Sequence, residues 1–463
     1  MTISLDDLRR HSGPRYRALA EAIGAAVRTG RLDAGARLPT QRELAHRLGV
    51  TVGTVGRAYE LAARQGWIRC EVGRGSFVQP PERPLGRLLP SDAAADPPLD
   101  LRINGPSPLA LDAALAESLR ALMAESVGRA MLRRYAPGAG LAAHRAAAAQ
   151  WLRGLGVPAD AERVLLIGGA QAGLHLTLAA LARPGDAVLV EELAYPGLRD
   201  LGAVLRLRLE PVAIDAAGMR ADALVEAVAT SGARLVVVVP DLHNPTTALM
   251  PAARREALVE IAQRADLLLI EDAVYRPLTP ATLPALAALA PERTVHLASL
   301  SKGILPGLRM GVLAAPARLV TSLTELIHAT RIGESPLLAE LFARWSAAGL
   351  LHEAATAQRA CADERQARAR ARLTGLNLRT EPGALHAWLE LPAGWTGAEA
   401  ARRLEAQGLL VAPAELFSFT RRPPPAALRL ALGWPAELAD LDRALDMLAG
   451  TLAAPPGRAE MVV

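Results

Sequence analysis

Lys302 is the only lysine in a chain whose Lys and Arg together number 52, so every other fixed side-chain cation is an arginine. Arginine stays protonated and cannot form an imine, whereas a primary amine can. Lys302 is therefore a candidate for covalent chemistry on a carbonyl. Its neighbours in sequence suit a phosphate. Ser299 and Ser301 offer hydroxyls, and Arg309, in Gly307-Leu308-Arg309-Met310-Gly311, offers a fork of donors to a dianion. Upstream, Gly168-Gly169-Ala170-Gln171 has the form of a strand-to-helix turn, where free backbone N–H groups bind phosphate. Asn244, followed by Pro245, can bond a phenolic oxygen, and Tyr275 can reach the same oxygen. Asp272, in Glu271-Asp272-Ala273-Val274-Tyr275, can keep a pyridine nitrogen protonated and so preserve an electron sink. Arg429, in Leu428-Arg429-Leu430, can clamp a carboxylate through two donors. Each piece alone also has a plainer role: a tight turn at Gly168-Gly169, an Asn-Pro turn at Asn244, a helix cap at Asp272, a surface strand at Arg429. Together they supply an amine, a phosphate cup, a partner for a ring nitrogen and a pair for a ring oxygen. Those are the needs of pyridoxal 5′-phosphate (PLP).

Such residues must be brought to one edge of a frame. Apolar strand-like runs lie at 163–167, 187–190, 234–239, 267–270 and 294–298, with helical stretches such as 171–182 and 251–264 between them. Apolar strands alternating with helices predict an α/β layer around a buried, mostly parallel sheet. Ligands of such sheets sit beyond the carboxyl ends of the strands, which is where the segments above fall. Beyond about residue 325 the pattern turns helical and then mixed, with strand candidates at 385–391 and 428–432. This predicts a body over 99–455 whose last part, about 325–455, is a smaller α+β domain. The proline-rich residues 80–98 read as a linker.

Residues 10–79 differ in kind. A helix is predicted over 14–30, and Thr40-Gln41-Arg42-Glu43 has the form of a capping box opening a helix to about Leu48. Thr51 opens a third helix, and residues 67–79, with a Gly73–Gly75 turn, read as a two-stranded wing. Three helices and a wing make a winged helix-turn-helix. Residues 1–78 carry 13 Arg against 7 Asp or Glu, while the whole chain has a net charge of only +5. Excess positive charge at one end points to nucleic acid there. The third helix is expected to enter the major groove by its N-terminal end. Thr51 and Thr54, with Thr40, would meet phosphates or base edges, and Arg42, Arg47 and Arg57 would reach phosphates or guanine. Arg37 would lie near the DNA backbone and Arg74, at the wing tip, near the minor groove. The length of 463 residues suggests about two to three domains. Cys70 and Cys361 lack metal-ligand spacing, so neither a disulfide framework nor a metal site is expected. No apolar run reaches the roughly 18 residues of a membrane span, and the first residues lack a signal-like apolar core; a cytoplasmic protein is expected.

The order Gly-Gly-Ala-Gln, Asn-Pro, Asp-x-x-Tyr, Ser-x-x-Lys, Arg-x-Gly and then Arg, over roughly residues 99–450, resembles the fold-type I aminotransferases. The resemblance implies that Lys302 is the Schiff-base lysine and that Asp272 pairs with the ring nitrogen of PLP. It places Asn244 and Tyr275 on the ring hydroxyl, and Ala170, Gln171, Ser299 and Arg309 in the phosphate cup. Tyr195 would stack on the ring, Tyr135 would reach the neighbouring subunit's phosphate site, and Arg429 would bind a substrate carboxylate. One departure is Thr247, where the family usually has Gly after Asn-Pro-Thr. A β-branched residue resists positive φ, so a differently shaped loop is expected. Ala273 and Val274 also stand where the family often has polar or aromatic residues. Residues 10–79 resemble the GntR-type winged helix through Leu38-Pro39-Thr40-Gln41-Arg42-Glu43-Leu44 and Gly73-Arg74-Gly75-Ser76-Phe77-Val78. Head and body together resemble the MocR-type regulators. That implies a homodimer on a double-stranded DNA operator of two half-sites, sensing an amino compound through the PLP imine on Lys302. The residues equally allow a working aminotransferase on an amino acid with an accessory DNA-binding head, since Lys302 could also shuttle a proton.

Overall fold

The computed structural model describes residues 14–28, 32, 36–64, 67–71, 75–78, 99–131, 133, 135–279, 282–330, 333–420 and 422–454. The chain divides into two compact units, residues 1–87 and 88–463. The expected linker at 80–98 lies outside the described residues, as do residues 72–74 with Arg74.

In the first unit, α1 (Arg15–Arg28), α2 (Gln41–Leu48) and α3 (Val52–Arg64) enclose a core that includes Leu19, Ile23, Leu44, Val55 and Tyr59. On α3 the buried positions are Val55, Ala58, Tyr59 and Ala62, a single stripe at helical spacing. The capping box is formed: Glu43 N donates to Thr40 Oγ1 at 3.3 Å, and Thr40 N donates to Glu43 Oε2 at 2.9 Å. Thr51 Oγ1 likewise accepts from Thr54 N at 3.2 Å and opens α3. The wing strands β1 (Ile68–Glu71) and β2 (Gly75–Val78) pair antiparallel, with Ile68 opposite Val78. A third piece joins them, because Leu38 N donates to Ser76 O at 2.8 Å and Val78 N to Ala36 O at 2.9 Å. The stretch 31–39 reads from sequence only as a connection, because so short a paired segment cannot show a period of two.

The second unit is built on a seven-stranded sheet. In chain order its strands are β3 (Val164–Ile167), β4 (Ala187–Glu191), β5 (Arg208–Val212), β6 (Leu235–Val238), β7 (Leu268–Asp272), β8 (Thr294–Ser299) and β9 (Gly311–Ala314). Across the sheet they run β3-β9-β8-β7-β6-β4-β5, and only β9 is antiparallel to its neighbours. Alternate residues serve opposite faces: Val164 and Leu166 join one core, Leu165 and Ile167 another. β5 escaped the sequence reading because it is an edge strand, exposed at Arg208 and interrupted by Pro211. The helix α4 (Ala170–Leu181) leaves directly from β3.

A smaller antiparallel sheet runs β10 (Asn377–Arg379), β11 (His386–Glu390), β13 (Ala427–Ala431), β12 (Ala412–Pro413). The start of the body belongs on this side. Leu99–Asp100 pairs with Leu409–Leu410, and Ala431 N donates to Leu101 O at 2.8 Å. One expectation is overturned at Thr247, which adopts φ +63° despite its branched Cβ. The loop compensates with two bonds: Thr247 N donates to His243 O at 2.7 Å and Thr247 Oγ1 to Thr246 O at 2.6 Å.

Replacing Thr40 by Ala should destabilise the head by about 1 kcal/mol through loss of the cap. Faster hydrogen exchange at the α2 amides of the full chain, with Thr40→Ser retaining protection, is the expected result.

Candidate functional site

The carboxyl edge of the large sheet gathers most of the residues singled out above. Lys302 follows β8 by three residues, and its Nζ donates to the Asn104 carbonyl. Burial, then the nearby Arg429 charge, lowers its ammonium to about 8. Asp272 ends β7 and is 7% exposed. Burial lifts its carboxyl to about 6, and Oδ1 is buried without a hydrogen-bond partner. Tyr275, 2% exposed, accepts from Asn104 Nδ2 at 2.7 Å through its hydroxyl. Tyr195 is half-buried, and burial followed by the Asp272 charge raises its hydroxyl to about 12.

A cup forms between β3 and β9. Gly169 takes φ +88°, and a Cβ there would lie 2.9 Å from Arg309 Nη2. Only glycine therefore lets the guanidinium lie against the turn into α4, where the first backbone N–H groups of the helix are unpaired by the helix itself. Arg309 also takes a left-handed conformation, φ 52°. Gln171 donates to Gly197 O at 3.4 Å, and its Oε1 is buried without a partner. The two serines differ. Ser299 is 1% exposed, donates to Met310 O at 3.1 Å and accepts from Ser301 N at 3.1 Å, while Ser301 is half-buried.

Arg429 is fully buried on β13, not on a surface strand. Its guanidinium lies 5.1 Å from the Phe417 ring and donates to Asn244 Oδ1 at 3.3 Å and to the Arg102 carbonyl. Desolvation lowers it to about 10. Tyr135 is 94% exposed.

The fit to PLP can be judged from what the fold leaves unpaired. A buried acceptor without a donor, Asp272 Oδ1, suits a protonated ring nitrogen. The cup of Gly169, Ala170 and Arg309 suits a phosphate, and the Lys302 amine suits an aldehyde. The residues fit the group. Two residues that sequence reading missed are Asn104 and His386. Ile103-Asn104-Gly105-Pro106 looks like an ordinary turn, and a histidine in an apolar strand looks like core.

On the head, Thr51 is exposed and Thr54 half-buried at the open end of α3, their hydroxyls 2.8 Å apart. Arg42, Arg47 and Arg57 are exposed. Thr40 is committed to the cap of α2. Arg37 is exposed, but its guanidinium packs on the wing, where a Cβ at Gly75 would lie 2.9 Å from Nε. Among the described residues no group of side chains could hold a metal, and no helix is long and apolar enough to cross a membrane.

A helix-turn-helix head and a body with this sheet order define a class, the DNA-binding regulators with an aminotransferase-like domain. Residues 98–448 match the family Aminotransferase class I and II, whose fold typically binds PLP, and residues 15–78 match the Bacterial regulatory proteins, gntR family. The chain belongs to the GntR/MocR-type transcriptional regulators. It is 29% identical over 457 residues to YdeF of Bacillus subtilis, an uncharacterised HTH-type transcriptional regulator, covering 94% of each chain. It is 32% identical to the pyridoxine biosynthesis regulator PdxR of Corynebacterium glutamicum, over 67% of this chain and 68% of that one. To the probable rhizopine catabolism regulatory protein MocR of Rhizobium meliloti it is 27% identical, over 68% of each chain. Among solved structures, an archaeal alanine:glyoxylate aminotransferase superposes with TM-score 0.71 at 23% identity, covering 78% of this chain and 91% of that one. The α-aminoadipate aminotransferase LysN of Thermus thermophilus gives 0.70 at 24%, covering 80% and 96%. These likenesses establish the fold of the body.

Only the neutral amine of Lys302 is a nucleophile. Its reaction with added PLP should therefore speed up with pH and level off above about 8, short of the ordinary lysine range of ~10.4. Borohydride trapping followed by peptide mass, at a series of pH values, reads this. A rate still climbing at the ordinary lysine pKa would show that the amine is not desolvated.

Proposed function

We propose that this regulator is a cytoplasmic protein that carries PLP on Lys302 and changes its grip on a double-stranded DNA operator when an amino compound enters the same site. The convergence of a lone lysine, a buried carboxylate with one unpartnered oxygen and the Arg309–Gly169 cup on one sheet edge supports this most directly. PLP, when bound, supplies an aldehyde carbonyl and an electron-withdrawing ring. Lys302 would hold it, Asp272 would pair with its ring nitrogen, and Tyr275 with Asn244 would serve its ring oxygen. Gly169, Ala170, Gln171, Ser299, Ser301 and Arg309 would bind its phosphate, and Tyr195 would cover the ring. Tyr135, exposed on a single chain, is where a homodimer would complete the neighbouring site. A carboxylate on the effector would take the Arg429 donors now directed at Arg102 and Asn244.

The effector acts only insofar as it binds two states of the body with different affinity. The head supports sensing over turnover as the main task, because specific DNA binding needs a signal to gate it and catalysis needs no head. Thr51, Thr54, Arg42, Arg47 and Arg57, with Arg37 and Arg74, would form the DNA-facing set.

Lys302→Ala should abolish the visible absorbance that PLP confers and the effector dependence of operator binding, while operator binding itself persists. A purified protein with ordinary aminotransferase turnover and no specific operator would overturn the proposal. Arg42→Ala should weaken DNA binding and lower the slope of log affinity against log salt by about one, as for loss of one phosphate contact.

A further inference from the structure

Asn104 sits where the segment leaving the smaller sheet crosses the sheet edge that bears Lys302. The turn is clamped: a Cβ at Gly105 would lie 2.6 Å from the Trp434 ring, and one at Gly433 would lie 2.3 Å from Gly105 O. The Asn104 amide has two hydrogens and both are placed. One goes to the Tyr275 hydroxyl at 2.7 Å, the other to His386 Nδ1 at 3.2 Å. The histidine tautomer follows from its second nitrogen. Nε2 lies 3.0 Å from the His243 carbonyl, which can only accept, so Nε2 carries the proton and Nδ1 is the acceptor. Burial, then the Arg429 charge, pushes the His386 imidazolium down to about 3, so the ring stays neutral. Asn104 Oδ1, meanwhile, is buried with no donor. A packing role alone would not keep an uncompensated acceptor there.

We propose that Asn104 is a positioning residue of the cofactor site: held by neutral His386, it donates to the Tyr275 hydroxyl and so leaves that hydroxyl's own proton free for the ring oxygen of PLP. A phenol has one proton to give. If a neighbour accepted it, Tyr275 would have none for the cofactor. Asn104 prevents this by presenting an N–H rather than an oxygen. The same amide ties Tyr275 on the large-sheet side to β11 of the smaller sheet, so displacement of β11 alters the cofactor's hydrogen bonding. This inference rests on PLP binding at Lys302.

The test is a double-mutant cycle on the PLP-loaded full chain, read by the pH midpoint of its visible absorbance. A donor to the ring oxygen competes with the internal hydrogen bond that retains the proton on the Lys302 linkage. Loss of that donor should therefore raise the midpoint. Without the Asn104 amide, His386 Nδ1 is the acceptor left beside the Tyr275 hydroxyl and can draw its proton away from the cofactor, so Asn104→Ala, and Asn104→Leu, which keeps the volume, should each move the midpoint up by about half a pH unit, as Tyr275→Phe also does. In the Tyr275→Phe background the Asn104 substitutions should add nothing. The other groups facing Tyr275 and Lys302, namely Asp272, Arg309, Arg429 and Tyr195, are unchanged throughout the cycle. An unchanged midpoint, or the same shift in both backgrounds, would overturn the role of Asn104. A wild-type chain with no visible band and no borohydride-fixed mass on the Lys302 peptide would instead sink PLP binding itself.

Discussion

A sheet covered on both faces keeps an ionisable side chain only where it is paired inside, as Glu271 is with His296, or at the ends of its strands. Every residue of β3, β4, β7, β8 and β9 is buried. Groups that emerge at the carboxyl edge are therefore only partly returned to water, and burial pushes each toward its neutral form. Asp272 rises to about 6, Lys302 falls to about 8 and Tyr195 rises to about 12. Most of what makes the site reactive follows from that one desolvation. An amine freed of its proton above about pH 8 rather than in the ordinary lysine range, a carboxylate with an oxygen in search of a donor and a hydroxyl that keeps its proton are its three results.

Adjacent carboxylates on β7 show how finely the pleat separates structure from chemistry. Glu271 and Asp272 point to opposite faces. Glu271 accepts from His296 Nδ1 at 2.7 Å and from the backbone N–H groups of Leu286 and Ala287 at 2.8 and 3.0 Å. Burial pushes its carboxyl up, yet His296 and those two N–H groups hold it below the usual range. Asp272 has an oxygen with no such partner. One is a brace for the helix Leu286–Leu289 and the other is available to a ligand. Another buried pair braces the same edge: Asp241 with Arg255 at 2.7 Å. Breaking such a pair strands a charge, so these residues act on the site through stability.

The two units answer different physical problems. The head is a small apolar core with capped helices and arginines on its surface, suited to a polyanion. The body hides its charges. Membership in the GntR/MocR-type regulators joins these two designs in one chain.

The strongest local signals were legible without a structure. Lys302 stood out by chemistry, because no arginine can replace a primary amine. The capping box at Thr40 was readable because it obeys a rule spanning four residues. The central strands were readable as apolar runs, whereas the edge strand β5, with Pro211 and exposed Arg208, was not. Thr247 shows the limit of a local rule, since two hydrogen bonds outweigh its aversion to positive φ. Asn104 shows the larger limit. Its partners Tyr275, His386 and Lys302 lie 171, 282 and 198 residues away. Local sequence determined which side chains could do chemistry. Only the tertiary fold decided which of them share a desolvated edge, because burial and hydrogen-bond partnership are set by groups the chain brings together from afar.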